Sequence, residues 1–265
     1  MVGRSMLLAG TAMVAFSLAA RGQDARQIAQ QAVRTELAAD ASDHTRWLYY
    51  DVDRKPGSDV KQWVAQTKIG DLKRLIEKNG LIFSKADERK TISSYIENQA
   101  AQAKALKGNQ HDDQQATQML EMLPQAFLWR KVGTQDNETI LSFWPNPQFH
   151  PPTWESRVFA AMAGEMRVDN AQHRIVSLQG RMIHDVKFWG GLLGSLQSGG
   201  SFDVERRQVG GGEWSITQTH IHIQGHALIF KSISEQEDDV KSRFKELPPN
   251  ESPVAAENML LAQNG

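Results

Sequence analysis

Hydrophobic and polar residues alternate along much of the chain, most regularly between about Met166 and Phe244. Four strand-like runs of eight to ten residues follow one another here: Arg174–Ile183, Phe202–Val209, Trp214–Ile223 and Ala227–Ser234. Glycines precede the second, third and fourth runs, and glycine adopts the positive φ angles of tight reversals without steric cost. The pattern predicts an antiparallel meander.

Earlier segments carry the same signals. An Asn79-Gly80 dipeptide, which favours a two-residue hairpin, stands between strand-like runs. The runs rich in aromatic and β-branched residues are Arg46–Val52, Val60–Ile69, Leu72–Lys78, Ala126–Val132 and Thr139–Phe143. Together with the meander they predict about ten strands.

Helical spacing of apolar residues interrupts these strands. It predicts helices at Asp24–Leu37, Ser84–Leu106, Asp112–Leu123 and Trp154–Met162, with a solvated loop at Lys107–Gln115. Strands with a helix pair inserted between them predict an α+β fold, and the amphipathic helices require an apolar partner. We therefore expect one large curved antiparallel sheet with helices over its concave face. We expect a single domain over residues 23–247 and a flexible tail over residues 248–265.

The N-terminus has the pattern of a secretory signal. Arg4 supplies a positive charge, Met6–Ala20 is apolar, and Ala20-Arg21-Gly22 offers small residues at the cleavage positions. This predicts removal of residues 1–22 and a periplasmic protein with no stable membrane span. The alternative is an uncleaved anchor, because Arg21 lies close to the cut.

Composition narrows the function classes. The formal net charge is -1, which gives no support for nucleic-acid binding. The chain has no cysteine, which excludes disulfides, thiolate metal sites and a lipid-bearing cysteine.

His220 and His222 are the clearest candidates for metal ligands in the sequence. Alternate residues of a strand share a face, so the two imidazoles can hold zinc if a third ligand, such as His184 or Asp185, arrives from another strand. No H-E-x-x-H pattern accompanies them, and solvent-facing strand histidines are the simpler interpretation. No serine stands in a recognisable nucleophile elbow beside the His184-Asp185 pair.

Ligand-cavity candidates come from apolar residues near glycine and proline. Phe188–Gly200 contains five glycines and reads as a lid over a hydrophobic cavity or as a packed loop. Two tryptophans flank the proline segment Pro145–Pro152. The predicted cavity or rim residues are Trp144, Trp154, Trp189, Leu192, Leu193 and Leu196.

The segment Leu120–Leu247 resembles an uncharacterised family of exported bacterial proteins that is common in acidobacteria. The resembling residues are Met122–Trp129, Pro145–Pro147, Pro151-Pro152, Gly180–Phe188, Gly190–Gly194, Gly199–Phe202 and Lys231–Ser234. This resemblance implies no known chemistry. The order of elements is also similar to that of the periplasmic lipoprotein carriers (LolA-like) and their mycobacterial lipid-carrier relatives, which implies an open half-barrel whose cavity takes acyl chains.

These observations favour a non-catalytic, exported binding protein for a lipid or lipoprotein acyl chain, with no cofactor. One alternative is an envelope structural or assembly protein with a filled core, which would have an envelope protein as its partner. Another is a metal-dependent hydrolase centred on His220 and His222.

Overall fold

A computed structural model describes residues 9–188, 194–226 and 234–264. The helices are α1 (Ala9–Ser42), α2 (Lys85–Glu97), α3 (Gln99–Ala126), α4 (Trp154–Phe159) and α5 (Pro253–Leu261). The first strands are β1 (Trp47–Lys55), β2 (Ser58–Thr67), β3 (Gly70–Lys78), β4 (Leu81–Ile82), β5 (Phe127–Gln135), β6 (Glu138–Pro145) and β7 (Met162–Asp169). They are followed by β8 (Ile175–Met182), β9 (Val186–Phe188), β10 (Gly194–Leu196), β11 (Ser201–Gly210), β12 (Glu213–His226) and β13 (Ser234–Glu246).

Eleven strands form one open antiparallel sheet in the order β4-β3-β2-β1-β13-β12-β11-β8-β7-β6-β5, while β9 and β10 pair beside β12. The chain enters at the middle with β1, runs outward to β4, crosses by α2 and α3 to the opposite edge at β5, and returns strand by strand. The last strand, β13, then pairs with the first, for example at Asp53 and Asp239. The predicted fold class, α+β with a large open antiparallel sheet of about ten strands and helices packed on it, is confirmed.

Cross-strand register defines the two faces of this sheet, because paired residues share a face and successive residues alternate. One face, here called the α1 face, carries Leu178 and Val204, which pair with each other. The other, here called the His220 face, carries Gln179, Asp203 and His220, which pair in series.

Four of the five helices form two groups. Helices α1 and α3 pack on the α1 face of β5–β8, around a core that includes Phe127, Trp129 and Met166. Helices α2 and α5 pack on β2 and β3, around Leu48, Trp63 and Leu72. His220 pairs with Asp238, which in turn pairs with Arg54 of β1, so these three residues share a face. Leu48 lies six residues before Arg54 on β1 and therefore points to the same side. The second group of helices thus packs on the His220 face.

Local residue chemistry explains several boundaries. Asn79 and Gly80 both have positive φ, at 51° and 80°, as the predicted hairpin turn requires. The Ser84 side chain accepts a hydrogen bond from the Asp87 amide at 3.2 Å and starts α2. Asn98 then ends α2 and caps α3 by accepting from the Ala101 amide at 3.0 Å.

Three sequence predictions about helices are corrected. Residues 107–115, predicted as a loop, lie within α3, because two further helical turns carry its apolar residues Met119, Leu120 and Leu123 onto the core. The helix predicted at Asp24–Leu37 is longer, because α1 extends from Ala9 to Ser42. The predicted flexible tail contains α5, whose Ala256 and Leu260 are fully buried.

Among the described residues, no helix combines the length and the apolar character needed to cross a membrane.

Candidate functional site

A cavity of about 310 Å³ lies between α1, α3 and the α1 face of β8, β11 and β12. Its walls are formed by Ala39 of α1, Ala116, Thr117 and Leu120 of α3, and Ile175, Leu178, Val204, Trp214 and Ile216 of the sheet. Alanines on the two helices leave the space open, because a longer side chain at either position would enter it.

The cavity continues a packed core. The core beneath α1 and α3 is filled by aromatic rings, with Phe127 and Phe143 centroids 4.6 Å apart and Phe127 and Phe159 centroids 5.0 Å apart. Leu120 and Leu178 belong to the edge of this core and also line the cavity. The hollow is therefore local, and it does not extend under the whole α3 helix.

A buried ion cluster stands beside the apolar walls. Glu36 of α1 accepts hydrogen bonds from Arg174 Nε at 3.1 Å and Nη2 at 2.9 Å, and its other oxygen accepts from the Ile175 amide at 2.7 Å. Arg206 Nη1 forms a second ion pair with the same carboxylate. Two guanidinium groups thus share one carboxylate, which fixes α1 to β8 and β11.

Four more carboxyl groups surround the mouth: Asp40, Asp43, Asp113 and Glu213. Burial raises the pKa of Asp113, and the nearby Asp40 carboxylate raises it further. Burial also raises the pKa of Glu213, followed by the effect of Asp43, while Arg174 opposes the shift. With two arginines against five acidic residues, the lining carries a formal charge of -3.

This arrangement is suited to noncovalent binding of an apolar group. Aliphatic and aromatic walls remove hydrocarbon from water, and the charged mouth keeps a polar head group in solvent. Trp214 is held in place because its indole Nε1 donates to Gln172 Oε1 at 2.8 Å.

The two predicted histidines lie elsewhere, on the His220 face. His220 Nδ1 stands 2.7 Å from Asp238 Oδ1, with the imidazole 42% and the carboxylate 59% exposed. His222 is exposed, and its Nε2 lies 3.1 Å from Nε2 of Gln224. The predicted solvent-facing position of both histidines is confirmed. Within the described ranges, no three His, Asp or Glu side chains converge as metal ligands would.

Of the predicted cavity residues, the two whose side chains the structure describes, Trp144 and Leu196, do not line this cavity. Trp144 is 38% exposed and lies on β6 next in sequence to Phe143, whose side chain is on the α1 face, so Trp144 points to the His220 face. Leu196 is buried in a separate cluster with Val158 and Met182. Trp189, Leu192 and Leu193 lie outside the described residues, as does the Trp154 side chain.

Sequence reasoning missed Glu36, Arg174 and Arg206. Glu36 and Arg174 are 138 positions apart, so no local spacing connects them. The only available signal was a carboxylate next to Leu37 on the apolar side of the predicted N-terminal helix.

No protein-family model matches this sequence, and comparison with curated proteins and with solved structures gives no match.

Proposed function

We propose that this chain is an exported, periplasmic, non-catalytic binding protein that holds a lipid or lipoprotein acyl chain between α1, α3 and the sheet. The observation that carries the proposal is the cavity of about 310 Å³ with aliphatic and tryptophan walls. Ligand cavities commonly start at roughly 300 Å³, so this one is suited to part of a single chain.

Burial of hydrocarbon would supply the affinity. Each buried methylene contributes about 0.8 kcal/mol, against an association cost of several kcal/mol. Binding therefore requires enough methylenes inside the cavity to exceed this association cost, which a very short chain cannot supply. The head group would remain at the mouth, near Asp40, Asp113 and Glu213.

The charge of the mouth favours some head groups over others. The lining has a formal charge of -3, with four carboxyl groups at the mouth, which disfavours a free carboxylate or phosphate there and favours an uncharged or amine-bearing head. An acyl chain attached to a lipoprotein through an amide or ester satisfies this condition.

An envelope-assembly role is the second candidate, and the filled aromatic core beside the cavity favours it. In that role the helices and sheet would serve as a rigid scaffold for another envelope protein. Occupancy of the cavity distinguishes the two functions.

Native mass spectrometry of protein purified from its own envelope without detergent tests the proposal. We expect an added mass that organic extraction removes and that an acyl chain restores. Protein that is always bare, and that takes up neither a fluorescent fatty acid nor its uncharged amide, would refute lipid carriage.

A further inference from the structure

A second, larger hollow of about 630 Å³ lies on the His220 face, across the sheet from the proposed lipid cavity. It spans β7, β8, β11, β12 and β13. Polar face residues of an antiparallel sheet are ordinarily only solvated. This region differs because its side chains line a hollow in two parallel rows.

The first row of the groove crosses five strands. Its members pair in series: Glu165, Gln179, Asp203, His220 and Asp238. Neighbouring strands are about 4.8 Å apart, so the row extends over roughly 19 Å. All five side chains end in planar polar groups.

The second row runs parallel to the first, two residues away along each strand. Its members are Ala163, Arg181, Ser201, His222 and Gln236. Small residues at Ala163 and Ser201, with Gly164 and Gly180 between the rows, form the floor. Phe202 keeps Gly180 small, because a Cβ there would lie 2.5 Å from Phe202 Cε1.

Many of these polar groups are free to take a ligand. Five polar side chains of the groove form no hydrogen bond with other protein groups among the described residues: Gln179, Arg181, Ser201, Asp203 and Gln236. They offer donors and acceptors side by side, as a carboxamide, a guanidinium and a carboxylate do.

An exposed aromatic ring extends the groove at its β6 end. Ser142 pairs with Glu165, and Trp144 follows Ser142 by two residues, so Trp144 lies on the same face beyond Ala163. Its side chain is 38% exposed, and the Arg130 guanidinium lies 5.8 Å from the ring centroid.

We infer that this groove binds a linear, uncharged saccharide chain. Sugar rings present an apolar C–H face to aromatic rings and neighbouring hydroxyls to planar polar groups, which matches Trp144 and the two rows. Three carboxylates against one guanidinium disfavour phosphate-rich or other anionic polymers. The inference concerns the opposite face from the lipid cavity and does not depend on the proposed function.

Isothermal titration with cellotetraose and with N-acetylchitotetraose tests this inference on the full chain. We expect saturable binding of at least one of them, weakened about five- to tenfold by Gln179→Ala or Asp203→Ala, which each remove hydrogen bonds. Trp144→Ala should weaken binding as well. Lys131→Ala, at an exposed strand position outside the groove, should leave it unchanged.

Either of two saccharide results would overturn the inference. One is no saturable binding of either saccharide by protein with a native melting transition. The other is saccharide binding that Gln179→Ala, Asp203→Ala and Trp144→Ala all leave intact. Stoichiometric zinc binding that His220→Ala and His222→Ala abolish, without any saccharide binding, would also overturn it in favour of a metal site.

Discussion

Individual buried charges decide how the parts of this molecule meet. Glu36 joins α1 to β8 and β11 through two arginines. Arg74, which is fully buried, binds Glu88 of α2 and the carbonyl oxygens of Leu260 and Gln263. Each group satisfies several partners at once, so its loss leaves others unpaired in a region that water does not reach.

Glu88→Ala should therefore destabilise the protein strongly. Arg74 Nε donates to Glu88 Oε2 at 2.8 Å, with both side chains at most 3% exposed. Removing the carboxylate leaves a buried guanidinium without its charge partner, which costs about 3–5 kcal/mol. Urea unfolding measures the loss. Glu97→Ala, at the exposed end of the same helix, is the control, and equal stabilities of the two variants would contradict this role.

Asp51 should make stability depend on pH. It is 6% exposed and accepts a hydrogen bond from Gln62 Nε2 at 2.7 Å. Burial, together with the adjoining Asp239 carboxyl, raises the pKa of Asp51 to about 7. The unfolded value is about 3.9, so the folded state binds more protons between these values. This contribution to stability is complete below about pH 4 and is lost as the pH rises through about 7.

Asp51→Asn removes the ionisation and keeps an acceptor for Gln62. We expect the variant to be more stable than the parent at pH 8, by an amount on the order of a few kcal/mol, and to show a flatter pH profile. Thermal melting from pH 4 to pH 9 measures this, with Asp136→Asn in an exposed turn as the control. If the parent protein instead gained stability relative to Asp51→Asn between pH 5 and pH 8, the prediction would be wrong.

At the scale of elements, the C-terminal helix α5 is a structural part of the fold. Ser252 caps it by accepting from the Ala255 amide at 3.1 Å, and Pro253 occupies its first turn. Its apolar side packs against β2, β3 and α2. Trp63 Nε1 adds a hydrogen bond to the Asn264 carbonyl at 2.9 Å. The helix therefore closes the second hydrophobic core.

Leu260→Ala should destabilise the protein by about 2–5 kcal/mol, because it opens a cavity in that core. The side chain of Leu260 is fully buried, whereas Val254 on the same helix is 58% exposed. Val254→Ala should change stability by less than about 0.5 kcal/mol. Chemical denaturation compares the two variants. Equal effects would mean that α5 does not contribute to the cooperative fold.

For the whole molecule, alternation and glycine placement were sufficient to predict the class and most strands. The paired positive φ angles at Asn79 and Gly80 follow directly from a local dipeptide. The pairing of β1 with β13 has no local signal, since Asp53 and Asp239 meet only when the chain has crossed the sheet. The helix over residues 107–115 and the docked α5 also depend on distant partners, which a single sequence does not display.

The same limitation explains the candidate site. The aromatic character of Trp144 predicts a ligand contact, but its position in β6 places its side chain on the His220 face, across the sheet from the lipid cavity. The cavity instead depends on two small residues, Ala39 and Ala116, which leave space only because the fold places them opposite the sheet. Residue type therefore predicted which side chains are suited to ligands, while topology determined where each one lies.

Titration of a fluorescent acyl-chain amide into the parent protein and into Ala116→Trp tests the central claim most directly. Ala116 is exposed and lines the cavity, so an indole there fills the space with little strain, while Ala103→Trp places the same ring at an exposed α3 position outside it. We predict one-to-one saturable binding to the parent and to Ala103→Trp, and at least about tenfold weaker binding to Ala116→Trp, equivalent to 1.4 kcal/mol. Absence of saturable binding to the parent, or equal binding to all three proteins, would contradict the account.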